Sequence, residues 1–263
     1  GAELPAVIIN MMRGGPGLGT IQAGQSDYFQ ATRSPGHGDG HMIVLAPASI
    51  QEAADLVAEA FDLSDIYRNP VMILADGMIG QMMEPIVWHE RKPAELPKKD
   101  WAATGREADG KTHFVTSLRL QSTQNELFNQ ELMDKYQLMT QKEIRWEADD
   151  CEDAQIIIVA YGTTARICQS AARKLRQEGI RAGVFRPISL WPYPYEALRA
   201  LAAQSAVQSV LTVEMSLGQM VEDVRLALGG LKPTPFYGRT GGMIPETDQV
   251  ADQVRQILQE VKA

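Results

Sequence analysis

An arginine followed by glycines is the first group of residues in the chain that suggests chemistry. Arg13 comes directly after a short apolar strand, and four of the next six residues are glycine. A guanidinium binds a carboxylate or phosphate through paired hydrogen bonds, and glycine lets the backbone approach a ligand closely. We therefore expect Arg13, Gly14 and Gly15 to bind an anionic substrate or cofactor. The alternative is that Arg13 forms a structural ion pair.

The connection that carries Arg13 is unusually long. Residues 10–41 separate two apolar strands and contain eight glycines, two prolines, two arginines and two histidines. Connections of this length are uncommon in compact domains, and most of them are functional or disordered. The composition fits an anion-binding loop between two strands of an α/β sheet, and it fits a mobile surface loop equally well.

A second polar group lies at the end of this connection. Asp39 stands between two glycines, His37 and His41 flank it, and Asn69 follows further along the chain. In thiamine-diphosphate enzymes a Gly-Asp-Gly and a later asparagine hold magnesium and diphosphate, but there the aspartate ends a strand and the asparagine follows the next strand. Here Asp39 follows a loop and Asn69 precedes a strand, so we assign no metal site. The histidines have the pKa range for acid–base chemistry, although backbone hydrogen bonding is the interpretation we favour.

Polar residues also stand at the ends of later strands, where ligands gather in open α/β sheets. Asp76 follows the apolar run 71–75, and it is either a cofactor contact or a helix cap. Residues 161–164 suit an anion site at a helix N-terminus, and ordinary capping explains them as well. For Glu214, at the end of another strand, we favour an interface role over catalysis.

Apolar strands alternate with amphipathic helices along most of the chain, which predicts α/β architecture with parallel sheets. Ser49 with Glu52 forms a capping box that predicts the start of a helix after the second strand. We divide the chain into a first domain at 1–87, a linker with a helix at 88–152, and a second domain at 153–263. The linker helix is expected over residues 124–146, with a weak apolar stripe formed by Leu127, Leu132, Tyr136 and Met139. In the second domain we expect a turn at 186–188 before the next helix.

Composition and charge exclude several classes of protein. The chain has 263 residues, a net charge of −8 and a pI near 5.1, unlike the basic surface of a nucleic-acid-binding protein. No apolar run approaches the length of a membrane span, and no signal peptide is visible. Two cysteines, Cys151 and Cys168, cannot supply the four thiolates of most iron–sulfur clusters, and they are typical of a cytoplasmic protein.

Several segments together resemble the alpha subunits of 2-oxoacid:ferredoxin oxidoreductases. The segments of the first domain are residues 9–19, 25–27, 36–39 and 69–76. Residues 161–163 and 185–187 resemble the transketolase C-terminal domain that follows in such subunits. The sequence of these segments is most similar to the 3-methyl-2-oxobutanoate (2-ketoisovalerate) type, because the 2-oxoglutarate type usually carries Ser-Thr-Gly after the proline of the Arg13 loop.

The resemblance implies a thiamine-diphosphate pyrimidine-binding domain, here incomplete, followed by a transketolase C-terminal-like parallel-sheet domain. It also implies oxidative decarboxylation of a branched-chain 2-oxoacid to an acyl-CoA, with coenzyme A as substrate and ferredoxin as electron acceptor. Thiamine diphosphate and Mg²⁺ would be shared with a partner subunit in an oligomer, and iron–sulfur clusters would lie on other subunits. Arg13 matches the family arginine that meets the substrate carboxylate, and no nucleic acid or membrane is involved.

One departure from the family concerns the glutamate that activates the aminopyrimidine. In the family it lies early in the pyrimidine-binding domain, whereas this chain enters its first strand within a few residues of Gly1. We therefore expect a fragment that lacks its N-terminal part and is inactive alone, with no catalytic residue of its own. The alternatives are a transketolase-like or 2-oxoacid dehydrogenase beta-type subunit, and a non-catalytic assembly subunit.

Overall fold

The computed structural model describes residues 1–33, 35–92, 94–106 and 112–261. Residues 93 and 107–111 of the predicted linker, and 262–263 of the predicted second domain, lie outside the described part. The strands are β1 (Ala6–Met12), β2 (Ile43–Leu45), β3 (Pro70–Asp76), β4 (Trp146–Asp149), β5 (Ile156–Val159), β6 (Ala182–Pro187), β7 (Ser189–Trp191), β8 (Ser209–Glu214) and β9 (Phe236–Gly238). The helices are α1 (Tyr28–Thr32), α2 (Ile50–Tyr67), α3 (Gly77–Gln81), α4 (Ser122–Lys142), α5 (Gly162–Gln177), α6 (Tyr195–Ala202), α7 (Met220–Leu228) and α8 (Thr247–Glu260).

The first sheet has the strand order β1-β3-β2-β7. β1 and β2 both pair with β3 in parallel, so these three strands end at one edge of the sheet. α2 connects β2 to β3, and it begins as predicted, because the Ser49 hydroxyl accepts a hydrogen bond from the Glu52 backbone N–H at 3.1 Å. This cap satisfies one of the free N–H groups in the first turn of α2.

The second sheet has the order β4-β6-β5-β8-β9. β5, β6, β8 and β9 run parallel to one another, and β4 is antiparallel to β6. The central strand β5 is buried on both faces. Ile156 and Ile158 pack in one core with α5 and α8, whereas Ile157 and Val159 pack in another with α6 and α7. A wholly apolar strand is expected where helices cover both faces of a parallel sheet.

Two short strands correct the sequence prediction. The sequence predicts a helix that continues through Trp146, but α4 ends at Lys142 and Trp146 begins β4. Residues 186–188 are predicted as a turn before a helix, but β7 intervenes and pairs antiparallel with β2 of the first sheet. Strands of three or four residues leave too little periodicity for a pattern to detect, and their partners lie far away in sequence.

The two sheets are joined along α2. Arg186, which is buried in β6, donates to both carboxylate oxygens of Glu52 at 2.9 Å. About two turns further along α2, Arg145 donates to both oxygens of Glu59 at 2.7 and 2.8 Å. Paired bonds of this kind fix orientation as well as distance. Because β7 also crosses into the first sheet, the division at 1–87, 88–152 and 153–263 stays a prediction.

α4 supports the first sheet from outside. It buries Phe128, Leu132, Tyr136 and Met139 against α2 and the sheet, while Leu127 of the predicted stripe is exposed. None of the helices in the described residues is both long enough and apolar enough to cross a membrane.

Candidate functional site

The Arg13 loop is an ordered structure at the carboxyl end of β1. The Gly14 N–H donates to the Gln22 carbonyl and the Thr20 N–H donates to the Gly14 carbonyl, both at 2.8 Å. Arg13 itself forms a bridge with Ala23. The chain therefore leaves β1, turns back on itself and closes, so the alternative of a mobile surface loop does not describe residues 14–22.

Glycines are required at two positions of this loop. A Cβ on Gly14 would lie 2.6 Å from the backbone nitrogen of Gly242, so the loop packs directly on the second domain there. Gly19 has a positive φ of 46°, and its Cβ would lie 2.1 Å from the Gly14 carbonyl oxygen. At Gly15 the nearest atom would be 3.9 Å away. Packing within this chain thus explains Gly14 and leaves the space beside Gly15 open.

Arg13 is exposed, and its guanidinium is fixed by the loop that follows it. Its Nη1 donates to the Leu18 carbonyl at 2.6 Å and its Nη2 donates to the Gly17 carbonyl at 2.9 Å. Among the described residues these partners are carbonyl groups and not a carboxylate, so the ion pair considered as the alternative does not form. A guanidinium has five N–H donors, and its positive charge is not neutralised by either contact.

Asp76 lies beside Arg13 in the sheet, but its side chain faces inwards. Met12 is the register partner of Asp76, so Arg13 follows one residue beyond that pair. The Asp76 carboxylate is buried and accepts from the backbone N–H groups of Met78 and Ile79, which caps α3. It also accepts from Thr163, through the backbone N–H at 2.9 Å and the hydroxyl at 2.7 Å.

One carboxylate therefore serves two helices. Residues 161–164, at the N-terminus of α5, are predicted to form an anion site or an ordinary cap. The anion bound there is the Asp76 side chain of the first domain. The favourable field at a helix N-terminus and the bonds to its free N–H groups hold that anion in place. Asp76 joins the carboxyl edge of the first sheet to the carboxyl edge of the second.

Gln25 is a second residue at this junction, and the sequence analysis assigned it no role. Its side-chain amide donates to the Tyr161 carbonyl at 2.9 Å and accepts from the Thr164 hydroxyl at 3.0 Å and the Met215 N–H at 2.9 Å. It is fully buried. These partners are 136 to 190 residues away in sequence, so no local pattern indicates them.

A tyrosine–aspartate cluster holds α1 in place. The buried Asp223 of α7 accepts hydrogen bonds from the hydroxyl groups of Tyr28 and Tyr195 and from the guanidinium of Arg33. Burial, together with the nearby Asp223 charge, raises the pKa of Tyr28 well above its usual value. Tyr28 therefore stays protonated and acts as a donor that anchors the middle of the long connection.

The polar group at 37–41 does not join the Arg13 loop. His37, Asp39 and the glycines beside them are exposed, whereas His41 stacks on Trp191 with ring centroids 4.8 Å apart. Burial lowers the pKa of His41, although the Asp39 charge opposes this. Asn69 donates its side-chain N–H to the His41 carbonyl at 2.9 Å. These contacts are structural.

Glu214 and the two cysteines are buried. The Glu214 carboxylate accepts from the Met220 and Val221 N–H groups and from the Ser216 hydroxyl, so it caps α7. Burial raises its pKa, and the hydrogen bonds oppose that shift. Burial also raises the pKa of Cys151 to about 12 and that of Cys168 above its usual value, so both remain thiols.

Comparison with known proteins covers nearly the whole chain. Residues 1–155 match the model of the pyruvate flavodoxin/ferredoxin oxidoreductase thiamine diphosphate-binding domain, and residues 154–250 match core domain II of pyruvate:ferredoxin oxidoreductase. The ketoisovalerate oxidoreductase subunit VorB of Methanothermobacter marburgensis is 44% identical over 260 residues, which are 99% of this chain and 73% of that protein.

More distant similarities agree with this match. The 2-oxoglutarate synthase subunit KorA of Methanothermobacter thermautotrophicus is 30% identical over 96% of this chain and 73% of its own length. The 2-oxoglutarate:ferredoxin oxidoreductase of Magnetococcus marinus, solved with 2-oxoglutarate, coenzyme A and succinyl-CoA, has the same fold. Its TM-score is 0.78 at 22% identity, over 97% of this chain and 49% of that one. These matches confirm the predicted resemblance and fold class, and the chain belongs to the 2-oxoacid:ferredoxin oxidoreductase family.

Proposed function

We propose that this chain is a subunit of an enzyme that oxidatively decarboxylates a branched-chain 2-oxoacid to an acyl-CoA and passes the electrons to ferredoxin. The higher identity to the ketoisovalerate subunit, 44% against 30% for the 2-oxoglutarate subunit, supports the branched-chain substrate. The chain spans about three quarters of the length of these relatives and half of the solved chain. The predicted cytoplasmic location belongs to the same proposal.

The observation that carries this proposal is the Arg13 loop. It presents one cation at the carboxyl edge of the first sheet, on a backbone closed by its own hydrogen bonds. A substrate carboxylate needs such a donor group, held in one orientation before the substrate arrives. We assign Arg13 to the substrate carboxylate and Gly15 to the backbone that lets the substrate approach, whereas Gly14, also predicted to bind substrate, is explained by its packing on Gly242.

The described residues fit one side of a thiamine diphosphate site. Mg²⁺ bound to a diphosphate takes one or two protein carboxylates besides the phosphate oxygens, and the aspartate and asparagine considered above do not provide such a site, because Asp39 is exposed and the Asn69 side chain donates to the His41 carbonyl. This donor set fits a subunit that contributes the pyrimidine side, while a partner subunit holds the diphosphate and Mg²⁺. We assign none of the described residues as the carboxylate that activates the aminopyrimidine.

When bound, thiamine diphosphate supplies the carbon nucleophile and the electron sink for decarboxylation. The part of this chain is to hold and orient the substrate. Arg13 fixes the carboxylate that will leave, and the carbonyl groups of Gly17 and Leu18 hold the guanidinium in one orientation. The Asp76 carboxylate already accepts hydrogen bonds from the first turns of α3 and α5. We therefore assign Asp76 a positioning role in the cofactor site, in which it holds the end of β3 in place.

Electron transfer falls to other subunits under this proposal. The two cysteines of this chain are buried in separate cores, whereas most iron–sulfur clusters need four thiolates. The clusters that pass electrons to ferredoxin are therefore assigned to partner subunits, and coenzyme A acts as the acyl acceptor.

The proposal is tested by assembling the protein with its partner subunits and following ferredoxin reduction. We expect reduction with 3-methyl-2-oxobutanoate that requires coenzyme A and thiamine diphosphate, and release of one acyl-CoA per two ferredoxins reduced. Acyl transfer to lipoamide in place of coenzyme A would favour a 2-oxoacid dehydrogenase beta-type subunit, and ketol transfer between sugars would favour a transketolase. If the complete assembly does not reduce ferredoxin with any 2-oxoacid, the proposal is contradicted and a non-catalytic assembly subunit is favoured.

A further inference from the structure

Two apolar side chains project from the Arg13 loop into solvent. Leu18 is 93% exposed and Ile21 is 78% exposed, although the backbone between them is held by hydrogen bonds at both ends of the loop. A single exposed leucine on a surface is ordinary. Leu18 differs from an ordinary surface leucine because its own carbonyl is a partner of the Arg13 guanidinium.

The contact between Leu18 and Arg13 places the backbone of Leu18 beside the proposed carboxylate site. The Leu18 carbonyl oxygen lies 2.6 Å from Arg13 Nη1. Two covalent bonds, about 1.2 and about 1.5 Å long, separate that oxygen from the Leu18 Cα. The side chain of a 2-oxoacid begins two carbon atoms from its carboxylate carbon. A substrate whose carboxylate binds Arg13 therefore has its side chain within reach of Leu18.

The chemistry of the two groups matches the two ends of one substrate class. Arg13 offers charge to a carboxylate, and Leu18 offers an apolar surface to what lies beyond it. A branched hydrocarbon side chain would pack favourably on Leu18, because the apolar surfaces of both groups would be removed from water. The second carboxylate of a dicarboxylic 2-oxoacid would find no donor in a leucine side chain, and its desolvation would be unfavourable.

We propose that Leu18 is a specificity-determining residue that selects 2-oxoacids with a branched apolar side chain. The inference rests on the proposed function and goes beyond it by assigning the choice of substrate to one side chain. Arg13 and Leu18 then divide the recognition, because Arg13 binds the carboxylate that every 2-oxoacid carries and Leu18 contacts the part that differs between them.

The test compares substrates in the enzyme assembled with its partner subunits. For Leu18→Ala we expect kcat/KM with 3-methyl-2-oxobutanoate to fall about tenfold, the scale of discrimination by one or two hydrocarbon groups in an apolar pocket. The value with pyruvate, whose side chain is one methyl group, should change less than about threefold. Leu18→Met, which keeps the volume and the apolar character, should restore the preference.

Leu226→Ala is the matched control. Leu226 is an exposed leucine of α7, which is not part of the Arg13 loop, and its loss should leave both values unchanged. Size-exclusion chromatography of each variant with its partner subunits checks that assembly is intact.

Four results would overturn the inference. Equal losses with both substrates in Leu18→Ala would assign Leu18 to the loop or to a subunit contact. A Leu18→Ala enzyme that loses activity with neither substrate, or a wild-type enzyme with no preference for the branched substrate, would remove Leu18 from selection while leaving the proposed function intact. A wild-type assembly that turns over no 2-oxoacid would instead refute the proposed function, and the inference with it.

Discussion

Arg13 and Asp76 lie at the same edge of the same sheet and have opposite environments. Arg13 is exposed and donates to two carbonyl groups, which do not neutralise its charge. Asp76 is buried, and four donors from two helices surround its carboxylate. A strand end can therefore serve a ligand or serve the fold. The number of protein donors and acceptors already bound to a side chain distinguishes the two cases.

The same contrast separates the two sheets. The carboxyl edge of a parallel sheet is where ligands normally bind. In the second sheet that edge is occupied by the first domain, through Gln25 and Asp76. In the first sheet the Arg13 loop extends from the edge and leaves the guanidinium accessible. We infer that the second domain supports the site and that the first domain forms it.

The largest effect is expected at the buried junction. Gln25→Ala leaves the Tyr161 carbonyl, the Thr164 hydroxyl and the Met215 N–H without their partner. Unpaired buried groups of this kind should lower the free energy of unfolding by about 3 kcal/mol. Urea unfolding measures the change, and the exposed Gln256→Ala should stay within about 0.5 kcal/mol of wild type. Equal stability of the two variants would mean that Gln25 does not join the domains.

Arg13→Ala should affect activity more than stability. Loss of a charged hydrogen bond to the substrate should lower kcat/KM by about 2–3 kcal/mol, roughly 30- to 150-fold. Arg13→Lys should recover only part of this loss, because an ammonium group keeps the charge but cannot form the paired contact. The exposed Arg225→Ala on α7 is the matched control. Similar kinetics for the Arg13 and Arg225 variants would return Arg13 to a purely structural role.

The two adjacent glycines test which side of the loop faces the protein. Gly14→Ala would push a methyl group against the backbone of Gly242 and should cost about 2 kcal/mol of stability. Gly15→Ala meets open space and should be neutral in unfolding experiments. If the substrate approaches Gly15, this variant should still show a lower kcat/KM. Wild-type kinetics in a stable Gly15→Ala would remove Gly15 from the proposed site.

The smallest effect concerns the histidines. Burial lowers the pKa of His41 in the folded protein, so the unfolded chain binds the proton more readily. The contribution of the neutral ring to stability is therefore present above the ordinary histidine pKa of about 6.5, and it is lost as the pH falls below that value. The stability difference between wild type and His41→Gln should narrow at about pH 5.5 relative to about pH 7.5. A stability difference that is the same at the two pH values would contradict this account.

Local patterns predicted what depends on local contacts. The Ser49 cap, the apolar strands of both sheets and the position of Arg13 after β1 follow from residues close together in sequence. The register of β7 with β2, the three bonds of Gln25 and the second helix capped by Asp76 depend on residues more than 80 positions apart. A sequence pattern identifies one partner of such a hydrogen bond and leaves the other partner unknown.

The resemblance to a known family and the physical interpretation contributed different information. The family match identified the reaction class, and the exposed, fixed guanidinium supports the proposal that Arg13 meets the substrate. Leu18 received no role from either until its carbonyl was found against Arg13. Geometry was needed there because an exposed leucine carries no sequence signal of function.

The central claim is that Arg13 binds the substrate carboxylate, and the structure of the assembled enzyme with 3-methyl-2-oxobutanoate, without coenzyme A, tests it most directly. We predict a carboxylate oxygen about 2.8 Å from a nitrogen of the Arg13 guanidinium, the usual length of a charge-assisted hydrogen bond. A carboxylate bound elsewhere, with Arg13 still contacting only the carbonyl groups of Gly17 and Leu18, would contradict the account.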